Sequence, residues 1–264
     1  MAYKNILVHL DQTARSATRF TLAIDLAKRH QACLSAFYAT SMPYLFQGPE
    51  KTHREQVQAA CQEQAQQAGV DFVWVDEEED MAHQSLEARL NYQAFFADLT
   101  LLGQPGADAG APPAPPRDLP GRVILTSGRP ILTIPFAGNF TRIGTRVMVA
   151  WRSGRSSSRA VFDALPLLAK ADLVHLLCFA NNNEERTQGE KTLKKLAGFL
   201  AQHGARTATE VRLISNIGFG DALLNRAAEE GIDLLVAGGA LPSAPAPLAS
   251  QLLKQMTVPV LMSS

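Results

Sequence analysis

Asp98-Leu99-Thr100 returns as Asp233-Leu234-Leu235, and Gly69, which stops one helical stretch, returns as Gly204, which stops another; both pairs stand 135 residues apart. This internal repeat constrains the chain more than any other feature. It is far too long for a solenoid unit, so it signals two copies of a whole domain. Pro130 and Pro259 also correspond, yet are 129 apart. Six residues have therefore gone from the connection after the fourth strand, a loop where deletions cost least.

Within each copy, short apolar runs alternate with helical patterns. In the first, strands are expected over Tyr3–Leu10, Ala32–Tyr38, Asp71–Val75, Leu99–Leu102 and Pro130–Ile134. Helices are expected over Ser16–Arg29, Lys51–Ala68, Ala82–Phe96 and Leu119–Thr126, with loops at Met42–Pro49 and Ala107–Pro116. The second copy begins with Arg146–Trp151 and Leu173–Phe179. It ends with strand Leu234–Ala237, helix Leu248–Gln255 and strand Val258–Met262. Alternating strands and helices imply a parallel sheet covered on both faces, hence an α/β fold of two tandem doubly wound domains. The expected boundaries are residues 1–136 and 144–264, joined by a linker at 137–143.

Composition narrows the function. The 264 residues are 46% apolar, enough for two cores, and Lys+Arg balance Asp+Glu at 25 each. No global field therefore draws the chain to nucleic acid or acidic lipid, and basic residues lack aromatic interleaving. The three cysteines form no Cys-x-x-Cys motif, which suits a reducing compartment. No stretch approaches the roughly 18 apolar residues of a membrane span, and the N-terminus lacks signal-peptide grammar. The expectation is cytoplasmic.

The stretches YKNILVHLD, DLTLLGQ, SGRPILTIP, RVMVAW, GFGDALLNRAAEEGIDLLVAG and MTVPVLMS, in that twice-repeated order, resemble the universal stress protein family. The resemblance covers nearly the whole chain. It implies five-stranded Rossmann-like domains of strand order 3-2-1-4-5, of the adenine nucleotide alpha hydrolase-like type. It also implies an internal pseudo-dimer or homodimer through the last strands, which would bring Pro130–Ile134 near Val258–Met262.

Ligands of such sheets bind beyond the strands' C-terminal ends, at the switch between the first and fourth strands. That region holds Asp11 and the run Gly103-Gln104-Pro105-Gly106. A carboxylate accepts from ribose or adenine, and glycines let backbone N–H groups close on phosphate. Nucleotide-binding relatives carry the loop G-x2-G-x9-G-(S/T). Here Gly103 and Gly106 supply its first pair, but Pro116-Arg117 stands where the second Gly and Ser/Thr belong. Pro112, Pro113, Pro115 and Pro116 remove four donors from the loop. In the second copy Trp151-Arg152 replaces the family's Trp-Asp, Leu241 replaces the second glycine, and Pro245-Ala246-Pro247 fills the place of the last pair.

Simpler roles stand beside these. Asp11 can cap the following helix. The run Arg152 to Arg159 reads as an anion site or as a solvated cap, and the cap is preferred. His9 reads as a hydrogen-bonded core histidine. His175 and Cys178, three apart on a strand, face opposite sides and cannot share a metal. No nucleophile elbow, metal motif or carboxylate pair signals an enzyme; a weak ATPase would follow only from bound nucleotide. The reading is a stress-response regulator with degenerate ATP-binding motifs, an unidentified protein partner and no obligatory cofactor. The alternative is an ATP- or AMP-binding sensor that uses Asp11, Gly103 and Gly106.

Overall fold

A computed structural model describes residues 2–41, 49–106, 114–214, 217–239 and 248–264. The loop expected at Met42–Pro49, except Pro49, which opens a helix instead, most of that at Ala107–Pro116, and the positions Pro112, Pro113, Leu241, Pro245, Ala246 and Pro247 lie outside these residues. The chain divides into two compact units, Ala2–Arg142 and Ile143–Ser264.

The first unit runs β1 (Asn5–Leu10), α1 (Arg15–His30), β2 (Cys33–Tyr38), α2 (Pro49–Ala68), β3 (Phe72–Val75), α3 (Leu86–Ala94), β4 (Leu99–Gly103), α4 (Leu119–Thr126) and β5 (Ile131–Ile134). All pairings are parallel, in the order β3-β2-β1-β4-β5. Strand β1 sits centrally, with Ile6 beside both Leu34 and Leu99. All three are fully buried, each stabilising the fold by about 1.5–3 kcal/mol against an exposed side chain. This explains the uninterrupted apolar runs in the sequence, since a strand covered on both faces has no side to give to polar residues.

The second unit runs β6 (Arg146–Ala150), α5 (Arg155–Leu168), β7 (Leu173–Ala180), α6 (Asn183–Gln202), β8 (Thr207–Leu213), α7 (Phe219–Glu229), β9 (Leu234–Gly238), α8 (Leu248–Gln255) and β10 (Val260–Ser263). Its parallel order is β8-β7-β6-β9-β10. Ile6 pairs with Leu99 and Val147 with Leu234, so the registers superpose Asp11 on Arg152 and Gly103 on Gly238.

Two further correspondences are physical. Gly69 and Gly204 end their helices in the left-handed region, at φ 66° and 82°, where a Cβ is penalised. Asp98 Oδ2 accepts from the amides of Lys4 (2.6 Å) and Asn5 (2.9 Å). Asp233 likewise accepts from Gly144 (2.8 Å), Thr145 (2.9 Å) and Arg146 (3.3 Å). Each aspartate fastens the fourth strand of its unit to the start of the first.

Helix α3 begins later than the periodicity from Ala82 implies. Glu79–Met81 forms a 3-10 turn, and Ser85, in extended conformation, accepts from the Ala88 amide and starts the helix there; a serine cap outweighs periodicity at a boundary. Among the described residues no helix is long and apolar enough to cross a membrane.

Candidate functional site

Strand β1 delivers Asp11 to the C-terminal edge of the first sheet, one residue past its last rung. Gly103 ends the adjacent β4, and Gly106 lies three residues beyond. The structure thus brings Asp11, Gly103 and Gly106 to the wall of one cavity of about 290 Å³.

The chemistry of that wall differs from the one the sequence suggests. Asp11 is 5% exposed, and its carboxylate is already engaged. Oδ2 receives Arg19 Nη2 at 2.9 Å. Oδ1 accepts from the Thr13 amide at 2.8 Å and from the Thr13 hydroxyl. Ser16 Oγ accepts from the Asp11 amide at 2.9 Å, and its single proton can go to the Asp11 carbonyl (2.8 Å) or to Oδ1 (2.9 Å). Asp11 is therefore no helix cap. Ala14 occupies the cap position of α1 without a side-chain bond, while Asp11 closes a turn on Thr13.

Arg19 is the residue that sequence reasoning missed. It is 3% exposed and also donates Nε to the His9 carbonyl at 3.0 Å. It lies on the same buried stripe of α1 as Ser16, Phe20, Ala23 and Ala27. A cation on an otherwise core-facing stripe, eight residues after a strand-tip carboxylate, was the available signal.

Burial alone would raise the Asp11 pKa, but the Arg19 guanidinium and the Thr13 bonds outweigh it and hold the group at about 2. His9, 2% exposed, is pushed down to about 4, mainly by burial and then by the Arg19 and Arg89 guanidinia. It is neutral at physiological pH. Its Nε2 lies 2.9 Å from the Ala39 carbonyl; a carbonyl only accepts, so Nε2 carries the proton.

The two glycines serve close approach to side chains. A Cβ on Gly103 would collide with the Arg19 guanidinium, and one on Gly106 with the Phe136 ring. Gln104 braces the same turn, its amide donating to the Ile134 carbonyl at 2.7 Å and its Oε1 accepting from the Phe136 amide at 2.8 Å.

In the second unit Arg152, at the Asp11 position, is exposed. Gly238 presses on the first turn of α5, where a Cβ would lie 2.8 Å from the Ser157 amide nitrogen and 2.9 Å from the Ser156 carbonyl carbon. Gly154 is the N-cap of α5, with no side-chain cap bond. The serines of Arg152 to Arg159 therefore do not cap it, and Arg159 instead pairs with Asp163 at 2.8 Å. His175 faces Arg146 (3.3 Å) and Glu230 (3.7 Å), whereas Cys178 packs against Gly189 of α6.

A universal stress protein from Archaeoglobus fulgidus DSM 4304 superposes on this chain with a TM-score of 0.74, covering 98% of each chain at 14% identity. The fold is that of a universal stress protein. Two shorter universal stress proteins also align. One, from Lactobacillus plantarum, covers 45% of this chain and 97% of its own at 15% identity (TM-score 0.40). The other, from Arabidopsis thaliana and solved with AMP bound, covers 44% and 88% at 18% identity (TM-score 0.34). No family model matches the sequence, and no curated protein matches it significantly. In this universal-stress fold the strand-tip position is thus held by an ion pair in one unit and by an arginine in the other.

Proposed function

We propose that this chain is a tandem universal-stress-type protein of the cytoplasm. In this reading it acts as a stress-response regulator or protein-interaction module that requires no nucleotide. The observation that carries the reading is the state of Asp11. Both its oxygens are engaged by Arg19, Thr13 and Ser16, so an incoming ribose or adenine would have to compete with a buried salt bridge for the carboxylate. Arg152 in the second unit presents a cation where an acceptor is needed. Among the described residues no cluster of His, Cys, Asp or Glu could hold a metal ion, and the reading is of a non-enzyme with an unidentified protein partner.

The cavity beside Asp11, Gly103 and Gly106 favours one second reading, an ATP- or AMP-binding sensor in the first unit. Calorimetric titration and thermal shift with ATP and AMP separate the two, because a ligand selective for the folded state raises its melting temperature. The preferred reading expects no saturable heat and no shift. A saturable shift reduced in Gly106→Val, which would push a side chain into the Phe136 side of the cavity, favours the sensor.

A further inference from the structure

The cavity in the first unit has a chemistry that phosphate recognition leaves unexplained. Its wall is largely apolar, with Leu102, Leu119, Pro105 and Phe136 prominent among its lining residues. At about 290 Å³ it lies at the lower limit of small-molecule pockets, roughly 300 Å³. It is about twice the size of a cavity that accepts a benzene ring, about 150 Å³. One or two fused rings fit that volume.

Two polar groups in the wall have capacity left. Arg15 opens α1, lines the cavity and donates Nη2 to the Gly138 carbonyl, while its Nη1 donates to no described residue. No described carboxylate pairs with it, while the Asp11 charge is already balanced by Arg19. The cavity therefore carries one surplus positive charge. His9 supplies the second group. With its proton on Nε2 facing the Ala39 carbonyl, Nδ1 is left as an acceptor on a buried ring that lines the cavity, and no described residue donates to it.

We infer that the first unit's cavity binds a small planar aromatic carboxylic acid bearing a hydroxyl. Arg15 pairs with the carboxylate, His9 Nδ1 accepts from the hydroxyl, and the apolar wall encloses the rings. This rests on the reading that no nucleotide occupies the site, and it gives the degenerate loop a positive role. Pro105, Pro115 and Phe136 line the wall with apolar surface, which is what a ring needs and a phosphate does not.

The test is calorimetric titration of the full chain with 6-hydroxy-2-naphthoate, 2-naphthoate, 2-naphthol, AMP and ATP. The hydroxy acid is expected to bind one per chain, more tightly than either probe lacking one group. Arg15→Gln should weaken it roughly tenfold or more, the scale of a lost hydrogen bond to a charged group, and Arg15→Lys should restore part of the loss. His9→Phe should abolish the preference for 6-hydroxy-2-naphthoate over 2-naphthoate; if that variant does not fold, the Arg15 pair still decides. Equal binding by wild type and Arg15→Gln overturns the inference. No binding of any aromatic acid, with AMP and ATP also silent, overturns it and leaves the nucleotide-free reading standing. Saturable AMP or ATP binding overturns both.

Discussion

Arg19 Nη2 lies 2.9 Å from Asp11 Oδ2, with the two side chains only 3% and 5% exposed. The helix that follows the first strand thus returns a cation to that strand's tip. The pair is held further by Ser16 Oγ, 3.0 Å from Nη2, and by the His9 carbonyl. A carboxylate so enclosed belongs to the interior of the unit, and its loss should register as instability.

Removing one partner of such a pair strands the other charge in the core. Arg19→Met should therefore cost about 3–5 kcal/mol, because Asp11 is left uncompensated. Arg19→Met combined with Asp11→Asn should recover most of that loss, since two neutral groups replace two charges. Urea unfolding of the two single variants and the double variant measures the coupling. Strictly additive losses would contradict the pairing.

The same enclosure fixes the acid limb of stability. The folded His9 titrates near 4 against an ordinary 6.5. Between those values the unfolded chain binds a proton that the folded chain refuses. Stability is full above pH 6.5 and falls by ~3 kcal/mol as pH drops to 4. Asp11 titrates near 2 against an ordinary 3.8, so its ~2 kcal/mol is present above pH 3.8 and lost as pH falls toward 2. Thermal melts across pH 2–8 should show two successive declines. His9→Gln should flatten the upper one, and Asp11→Asn the lower.

Glycine replacement discriminates close packing from simple flexibility. Alanine at Gly238 would meet the backbone of Ser156 and Ser157 at 2.8–2.9 Å, and should cost about 1–3 kcal/mol as overpacking. Alanine at Gly198, within α6 and with nothing inside 4 Å, should instead stabilise by up to ~1 kcal/mol. Denaturant midpoints of the two variants should move in opposite directions.

Asp233→Ala leaves the amides of Gly144, Thr145 and Arg146 without their acceptor and should cost about 1–3 kcal/mol. Asp98→Ala makes the same change in the first unit, where two amides depend on it. The losses should add in the double variant because the sites share no partner. Chemical denaturation of the two single variants and the double variant checks this.

The fold was legible because buried parallel strands leave contiguous apolar runs, and because Gly69 and Gly204 mark helix ends that only a few residues tolerate. The site was legible only in position. Asp11, Gly103 and Gly106 do share a wall, but sequence cannot show that Arg19 turns inward to meet Asp11. Arginine on an amphipathic helix usually faces solvent, and only its place on the stripe of Phe20 and Ala23 hinted otherwise. The glycines misled for a related reason. One letter marks room for a phosphate or room for a guanidinium and a phenyl ring, and the neighbour that decides comes from a distant part of the chain. Asp233 was visible as the head of a strand, yet its amide partners lie 87–89 residues earlier.

The contact at Gly238 has a consequence for what the second unit could become. There the end of β9 meets the first turn of α5 chiefly through main chain, the Ser157 amide nitrogen and the Ser156 carbonyl carbon, with the Ser156 Cβ equally near. A lineage carrying this packing cannot reopen the gap by exchanging single residues; the helix itself would have to slide. In the first unit the glycine that ends β4 meets a side chain, Arg19, which one codon change could shorten. The two halves therefore differ less in how far they have drifted than in how easily each could return.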